Sequence, residues 1–464
     1  MSSKSSAKSP RLSFRCSDCG WTASKWVGRC GECQAWGSVE EVGVPALRTT
    51  VAAPVRRPAV PISDVDVEAA SAEATGVEEL DRVLGGGLVP GAVVLVAGEP
   101  GVGKSTLLLD VAAQSATRGR TVLYVTGEES AAQVRLRAER IGALRPRLYL
   151  AAENDLATLL GQVDAVRPDL LVVDSVQTVS SGQVDGAAGN VSQVREVAAA
   201  LIRVAKERHM ATLLVGHVTK DGSIAGPRVL EHLVDVVCQF EGDRHSRLWM
   251  VRAVKTRYGP TDEVGCFELS DGGIAGLPDP SGLFLSHGDT VAAGTCVTVT
   301  LEGRRPLVAE VQALVAEASG QSARRATSGL DGSRVAMVLA VLGSRVGLPL
   351  QRSDVFVSTV GGVRLSEPSA DLAATLALAS TVLDQPLSGR TIAFGEVSLS
   401  GEVRTVTGVT RRLQEAARLG FTTAVVPAGA GDAGPVPSGV RLVEVTGVRD
   451  AVRLLLPVED EGQT

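Results

Sequence analysis

The chain has 464 residues, of which 44% are hydrophobic and 21% charged, and its formal net charge is −6. This apolar content supports packed cores, about three domains at roughly 150 residues each, and excludes wholesale disorder. Taken whole, the acidity excludes a generic polycation that coats nucleic acid.

The charge is unevenly spread. Residues 1–60 hold nine Lys/Arg against four acids, a local +5 that leaves −11 for the remainder. Residues 1–12 are rich in Ser, Lys and Arg and read as a disordered tail, with no apolar signal stretch after them. No apolar run approaches the ~20 residues that span a bilayer. An odd cysteine count, seven, without a signal peptide reads as a reducing, cytoplasmic setting with no membrane partner.

Residues 13–41 form a module of their own. Cys16 and Cys19, then Cys30 and Cys33, make two C-x2-C pairs ten residues apart. Four thiolates brought together suit tetrahedral Zn²⁺, and a closed set of four needs no further ligand, so the site is structural. A segment this small has little core, so the metal supplies most of its folding energy. Lys25 and Arg29, with Trp21 and Trp26 between the pairs, offer either a stacking face for single-stranded nucleic acid or a cover for the metal. Residues 42–75, with Pro45, Pro54, Pro58 and Pro61, read as a linker.

Residues 76–275 alternate short Val/Leu strands with longer amphipathic helices, the rhythm of a parallel α/β sheet. The strands include 92–97, 121–126, 170–174, 212–216 and 248–254. Between the first and a helix starting at Thr106 lies Gly98-Glu99-Pro100-Gly101-Val102-Gly103-Lys104-Ser105-Thr106. The glycines let backbone N–H groups approach phosphates, Lys104 reaches the β/γ-phosphates of ATP, and Ser105 ligates Mg²⁺. Asp174 ends an apolar strand, where a carboxylate meets the Mg²⁺ shell. Glu128 and Glu129 close another strand, and one of them orients or deprotonates the attacking water. Strand-end position favours Glu128 over Glu129.

Further on, Lys255-Thr256-Arg257-Tyr258-Gly259 follows the strand 248–254. Its two cations serve either as a finger on a neighbouring subunit's γ-phosphate or as DNA-phosphate contacts. Residues 276–290 are rich in Gly and Pro and read as a boundary linker. Residues 291–464 open with strands near 296–301 and 307–315, followed by helical stretches at 333–346 and 369–384.

The segment Thr75–Leu88 followed by GEPGVGKST resembles the RecA/KaiC-type ATPase core. Together with the four-cysteine finger it resembles the bacterial RadA (Sms) family of DNA repair proteins. KTRYG is similar to that family's KNRFG motif, with Thr256 for Asn and Tyr258 for Phe. The resemblance runs from Phe14 onward. It implies an ATPase that binds single-stranded and branched DNA, forms a homo-hexameric ring, drives branch migration and works beside a recombinase filament. It also implies that His217 is a γ-phosphate sensor, that Lys220 and Arg228 of the following loop face DNA, and that the Gly-rich stretch 177–193 is a mobile loop facing the channel.

Glu367-Pro368-Ser369-Ala370-Asp371 and the later segments 395–403 and 408–413 resemble the Lon peptidase domain. A Ser–Lys dyad needs a lysine to take the serine proton. Aligning the segments puts Thr410 at that position, and residues 291–464 contain no lysine. The expectation is a non-proteolytic, Lon-like domain for assembly and DNA contact, with Arg304, Arg305, Arg324 and Arg325 as candidate phosphate contacts. The fold class expected is therefore α/β: a RecA-like P-loop core, a small N-terminal zinc finger and a C-terminal α+β Lon-peptidase-like domain. The alternatives are an ATP-dependent Lon-type protease and a KaiC-like regulatory ATPase.

Overall fold

In a computed structural model the described residues are 13–42, 59–64, 71–217, 227–242, 248–270, 272–286, 292–318 and 323–455. The chain divides into two compact units, residues 1–66 and 67–464. The expected tail 1–12 and most of the expected linker 42–75 lie outside the described residues.

In the first unit, β1 (Ser13–Cys16) pairs antiparallel with β2 (Thr22–Ala23) and β3 (Val39–Val42). Each C-x2-C pair sits in a tight turn: Cys16 N–H reaches Trp21 O, and Cys30 N–H reaches Ala35 O. The buried apolar cluster among the described residues of this unit is Cys16, Cys30 and Val39, with Phe14, Trp21 and Val27 packed on them.

The second unit opens before residue 76. Thr75 is buried, and its N–H is held by Asp81 of α1 (Glu78–Leu84). A nine-stranded sheet follows. Its strands are β4 (Val93–Gly98), β5 (Val122–Thr126), β6 (Leu148–Ala152), β7 (Leu170–Asp174), β8 (Ala211–His217), β9 (Val236–Gly242), β10 (Leu248–Lys255), β11 (Val264–Ser270) and β12 (Gly273–Gly276). Their order is β12-β11-β10-β9-β4-β8-β7-β5-β6. The six strands from β9 to β6 run parallel, and β10–β12 add an antiparallel edge. β4, β5 and β7 are buried at every position, as continuous apolar strands covered on both faces must be. α2 (Lys104–Thr117) covers one face, and α4 (Leu156–Val166) and α5 (Val191–Arg208) cover the other. α3 (Ala131–Arg140) leaves β5, and the short α6 (Pro227–Glu231) precedes β9. After β4 the chain crosses to β5, so two strands, β8 and β7, separate them. Clefts outside the carboxyl ends of a parallel sheet bind ligands where the winding reverses.

The stretch expected as a boundary linker is partly built into the core. Phe284 is buried, and the carbonyls of Leu277 and Pro278 are held by Arg305. The second sheet comprises β13 (Thr295–Glu302), β14 (Arg305–Glu317), β15 (Arg325–Ser328), β16 (Ser353–Thr359), β17 (Thr391–Ala393), β20 (Thr423–Pro427) and β21 (Arg441–Val445), in the order β15-β16-β14-β13-β17-β20-β21. A small ribbon, β18 (Glu396–Val397) and β19 (Val403–Arg404), stands apart. Strand alternation sorts the two faces. Leu307, Ala309 and Val311 meet α7 (Gly332–Val341), α8 (Asp371–Leu383) and α10 (Val448–Leu455), whereas Val308 meets α9 (Val409–Arg418). α8 is buried on every side from Asp371 to Ser380. Its alanines keep it thin enough to be enclosed.

Candidate functional site

The loop Gly98–Gly103 joins β4 to α2. A side chain at Gly98 would meet Phe240 O at 2.8 Å, and Gly103 takes a φ of +97° as it starts the helix. Both positions therefore require glycine. Val102 is buried and anchors the loop, while Glu99, Pro100 and Gly101 are exposed, and Ser105 and Thr106 are half-buried in the first turn of α2. Lys104 folds back over the loop, donating to Gly98 O at 2.9 Å and Glu99 O at 2.7 Å. Burial lowers its ammonium to about 8, against the opposing pull of Asp174, Glu128 and Glu99.

The register brings the acids to this loop. Gly98 pairs with His217, and Thr126 pairs with Asp174. Asp174 is buried, and its Oδ2 accepts the Tyr124 hydroxyl at 2.6 Å. Glu128 Oε1 accepts the Ser175 hydroxyl at 2.6 Å and lies 3.0 Å from His217 Nε2. Glu129 turns the other way, into an ion pair with Arg137 of α3. The two adjacent acids thus differ: one faces the phosphate loop, and the other is spent on a helix.

Reading by residue type missed Ser175 and Gln177. The signal for Ser175 was its place directly after Asp174. Gln177 donates to His217 O at 3.4 Å, and His217 Nδ1 is buried without a partner among the described residues. Within the stretch 177–193, expected as a mobile channel loop, residues 181–186 are bonded to Gln193. Buried Gln193 accepts from Ser181 N–H and donates to the carbonyls of Ser181, Val184 and Gly186.

KTRYG lies at the opposite end of the strands. Lys255 pairs with Val237, and Val237 pairs with Leu95, near the start of β4. Lys255 Nζ donates to the carbonyls of Glu231 and Val234. Arg257 meets Asp235 at 3.3 Å, and Asp235 also holds Lys206 Nζ at 2.6 Å and Val93 N–H at 3.0 Å. At about 3.3 Å per residue, the length of β4 separates Val93 from Gly98 by roughly 16 Å. Neither cation reaches the phosphate loop of its own chain. Thr256, in place of the family's Asn, caps the turn through Tyr258 N–H at 3.0 Å. Lys220 lies outside the described residues, as does the side chain of Arg228 at the start of α6.

In the first unit the four sulfurs of Cys16, Cys19, Cys30 and Cys33 all lie within 4.8 Å of one another. Cys16–Cys33 are 3.7 Å apart and Cys19–Cys30 are 3.5 Å apart. A tetrahedron with metal–sulfur bonds of about 2.3 Å has edges of about 3.8 Å, so the cluster fits one Zn²⁺. Trp21 packs against this core, whereas Trp26 and Trp36 are exposed.

In the C-terminal domain Ser369 is buried, and Thr410 does not face it. Thr410 Oγ1 donates to Ala433 O at 3.4 Å. The groups beside the serine are Arg412, fully buried, whose Nη1 donates to Ser369 Oγ at 3.1 Å and whose Nη2 pairs with Glu367, and Glu367 itself, whose Oε2 accepts the Ser369 hydroxyl at 2.9 Å. In space, the lysine position expected at Thr410 is taken by Arg412. The assignment of Arg305 to DNA is also overturned: it is buried against Glu79 of α1. Arg324 and Arg325 are exposed, and Arg304 is half-exposed beside Asp262 and Glu263.

Comparison with known proteins places the whole chain. It is 54% identical to the DNA repair protein RadA of Mycolicibacterium smegmatis over 97% of this chain and 98% of that protein. The chain belongs to the RadA family of DNA repair proteins. Its likeness to RadA of Mycobacterium tuberculosis H37Rv is 53%, covering 98% of this chain and 95% of that one. To RadA of Streptococcus pyogenes serotype M1 it is 46%, covering 94% and 97%. Three family models match parts of the RadA-family chain: an AAA domain over residues 56–223, a rubredoxin metal-binding domain over 14–41, and the ChlI subunit of Mg-chelatase over 333–430. The fold is thus a P-loop ATPase core with an N-terminal four-cysteine ribbon and a C-terminal ChlI/Lon-like domain. Among the described residues, no helix is long and apolar enough to cross a membrane.

Proposed function

We propose that this protein is a cytoplasmic, DNA-dependent ATPase of recombinational DNA repair that drives branch migration as a homo-hexameric ring, acting on single-stranded and branched DNA beside a recombinase filament. The observation that carries this reading is the end-to-end likeness to RadA proteins. Within it, Lys104, Asp174 and Glu128 gather at one end of the strands. ATP lies along Gly98–Thr106, with its phosphates on the backbone N–H groups and the start of α2. Lys104 exchanges the carbonyls of Gly98 and Glu99 for phosphate oxygens. Ser105 and Asp174 are the residues that would hold Mg²⁺, which neutralises phosphate charge when bound. Glu128 takes the proton of the attacking water on Oε2, since Ser175 and His217 both engage Oε1.

Lys255 and Arg257 act in trans on this reading. Their place at the far end of the strands supports it, because they can serve a nucleotide only in an adjacent subunit. In the single chain they are parked on the segment 231–235. In the chain that segment follows Lys220 and Arg228, which are read as DNA contacts. A peptidase role is not part of the proposal. Ser369 sits between Arg412, which stays protonated and cannot take the serine proton, and Glu367, a carboxylate already engaged by that arginine, so the lysine base of a Ser–Lys dyad is not reproduced.

ATP turnover measured with and without single-stranded DNA, alongside branch migration of a forked substrate, tests the reading. Single strands should stimulate turnover. Lys104→Ala should abolish it, and Lys255→Ala should bind ATP yet lose both turnover and branch migration. No stimulation by any DNA would refute the proposal.

A further inference from the structure

Two buried hydroxyls cross between neighbouring strands of the ATPase sheet. Tyr124, inside β5, donates to Asp174 Oδ2 at the end of β7 at 2.6 Å. Ser175, the residue after Asp174, donates back to Glu128 Oε1 beyond the end of β5, also at 2.6 Å. Each strand therefore supplies one carboxylate and one hydroxyl, and each hydroxyl serves the other strand's carboxylate. The pairing of Thr126 with Asp174 sets this geometry. Tyr124 lies two residues earlier on β5, about 7 Å along the strand, a gap that a phenol spans and a short hydroxyl does not.

Packing does not explain either hydroxyl. Tyr124 and Ser175 are both 0% exposed. Phenylalanine would fill the first position with the same ring, and alanine would fill the second. Burying a hydroxyl costs free energy unless it is bonded, and the bond each one makes is a charge-assisted one to a carboxylate. His217, the other donor to Glu128 Oε1, sits at a strand end and is partly exposed. Ser175 is the rigid one of the two.

We propose that Tyr124 and Ser175 are positioning residues of the ATPase centre: Tyr124 occupies one oxygen of Asp174 and presents the other to Mg²⁺, and Ser175 occupies one oxygen of Glu128 and presents the other to the attacking water. The proposal rests on the reading of Asp174 and Glu128 given above. It assigns separate consequences to the two hydroxyls. Loss of the tyrosine hydroxyl acts on metal-dependent nucleotide binding. Loss of the serine hydroxyl acts on turnover, with binding left alone.

The test uses the full-length protein with Zn²⁺ bound. Affinity for a fluorescent ATP analogue is titrated against Mg²⁺, and kcat is measured beside it, for wild type, Tyr124→Phe, Ser175→Ala, Asp174→Asn and Glu128→Gln. Outer partners of metal-binding carboxylates typically matter by about 10–100-fold, so Tyr124→Phe should raise the Mg²⁺ midpoint about tenfold and leave metal-free affinity unchanged. Misplacing a reacting group by about 1 Å costs on the order of a hundredfold. Ser175→Ala should therefore lower kcat by roughly ten- to a hundredfold with the Mg²⁺ midpoint unmoved. Wild-type behaviour of both variants would overturn the proposal. So would an equal loss of affinity with and without Mg²⁺ accompanied by a lower melting temperature, which marks a merely structural role. If Asp174→Asn and Glu128→Gln themselves behave as wild type, the parent assignment of metal ligand and base has failed, and the positioning proposal falls with it.

Discussion

Arg304 and Arg305 are neighbours in sequence and opposites in energetics. Arg305, with 7% of its side chain exposed, pairs with Glu79, at 2%. It also donates to Val264 O at 3.2 Å, Leu277 O at 3.0 Å and Pro278 O at 2.7 Å. It thus fastens the start of the C-terminal sheet to α1 and the antiparallel edge of the ATPase sheet. Arg305→Ala strands a buried carboxylate and three carbonyls. Glu79 would keep the Cys266 N–H at 2.8 Å, and the exposed Arg82 at 3.6 Å. Breaking a buried pair by removing one partner costs about 3–5 kcal/mol. Arg304 has 41% of its side chain exposed and faces Asp262 at 3.4 Å. Exposed pairs of that kind contribute about 0–1 kcal/mol, so Arg304→Ala should be nearly silent. Urea unfolding of the two variants, followed by circular dichroism, measures the difference. Glu79→Leu combined with Arg305→Met should recover part of the loss, because removing both charges spares the stranded one. Below its melting transition, Arg305→Ala should leave the salt dependence of DNA binding unchanged, since a buried guanidinium releases no counterions. Equal costs for the two arginines would refute this account.

Three further outcomes follow from the geometry. Lys104, lowered to about 8, is largely neutral at pH 8.5, and phosphates should recharge it. Nucleotide binding should then take up roughly 0.7 proton per site, read by calorimetry in buffers of different ionisation enthalpy, and affinity should fall as pH rises through that value. Zero uptake would mean that the lysine titrates at its ordinary value. Chelating the metal, or Cys30→Ser, should unfold the first unit, whose buried core is Cys16, Cys30 and Val39. The near-ultraviolet dichroism of Trp21 reports this, and an unchanged spectrum contradicts a metal-built fold. Gln193→Ala should open the stretch 181–186 to limited proteolysis, because four hydrogen bonds from one side chain close it. Resistance equal to wild type would show that the loop is held otherwise.

Much of the site was legible because its chemistry is local. Gly98–Thr106 needs glycines at fixed spacing, and a strand ending in Asp174 is visible as four apolar residues and an acid. The choice between Glu128 and Glu129 rested on one residue of strand position. What separates them physically is Arg137, eight residues away on α3, which takes Glu129 out of the site. Ser175, Tyr124 and Gln193 carried no signal as residue types. A serine, a tyrosine in an apolar strand and a glutamine in a helix are each common, and only their partners give them roles. Arg305 and Thr410 were misassigned for the same reason: neither exposure nor facing direction is written in a short segment.

The sequence by itself determined the three-part order, the metal-binding cysteines, the phosphate loop and the family likeness. The cysteines lie within residues 16–33 and the phosphate loop within 98–106, where backbone geometry limits what the spacing can mean, and the order of these segments along the chain carries the likeness. Tertiary structure alone decided which acid is taken up by an ion pair on α3, that KTRYG lies at the far end of the strands of its own sheet, that Arg412 rather than Thr410 stands beside Ser369, and that Arg305 is a buried clamp. These are outcomes of strand register and of burial. Both depend on contacts between segments tens to hundreds of residues apart, and a one-residue slip in register would exchange which side chains meet.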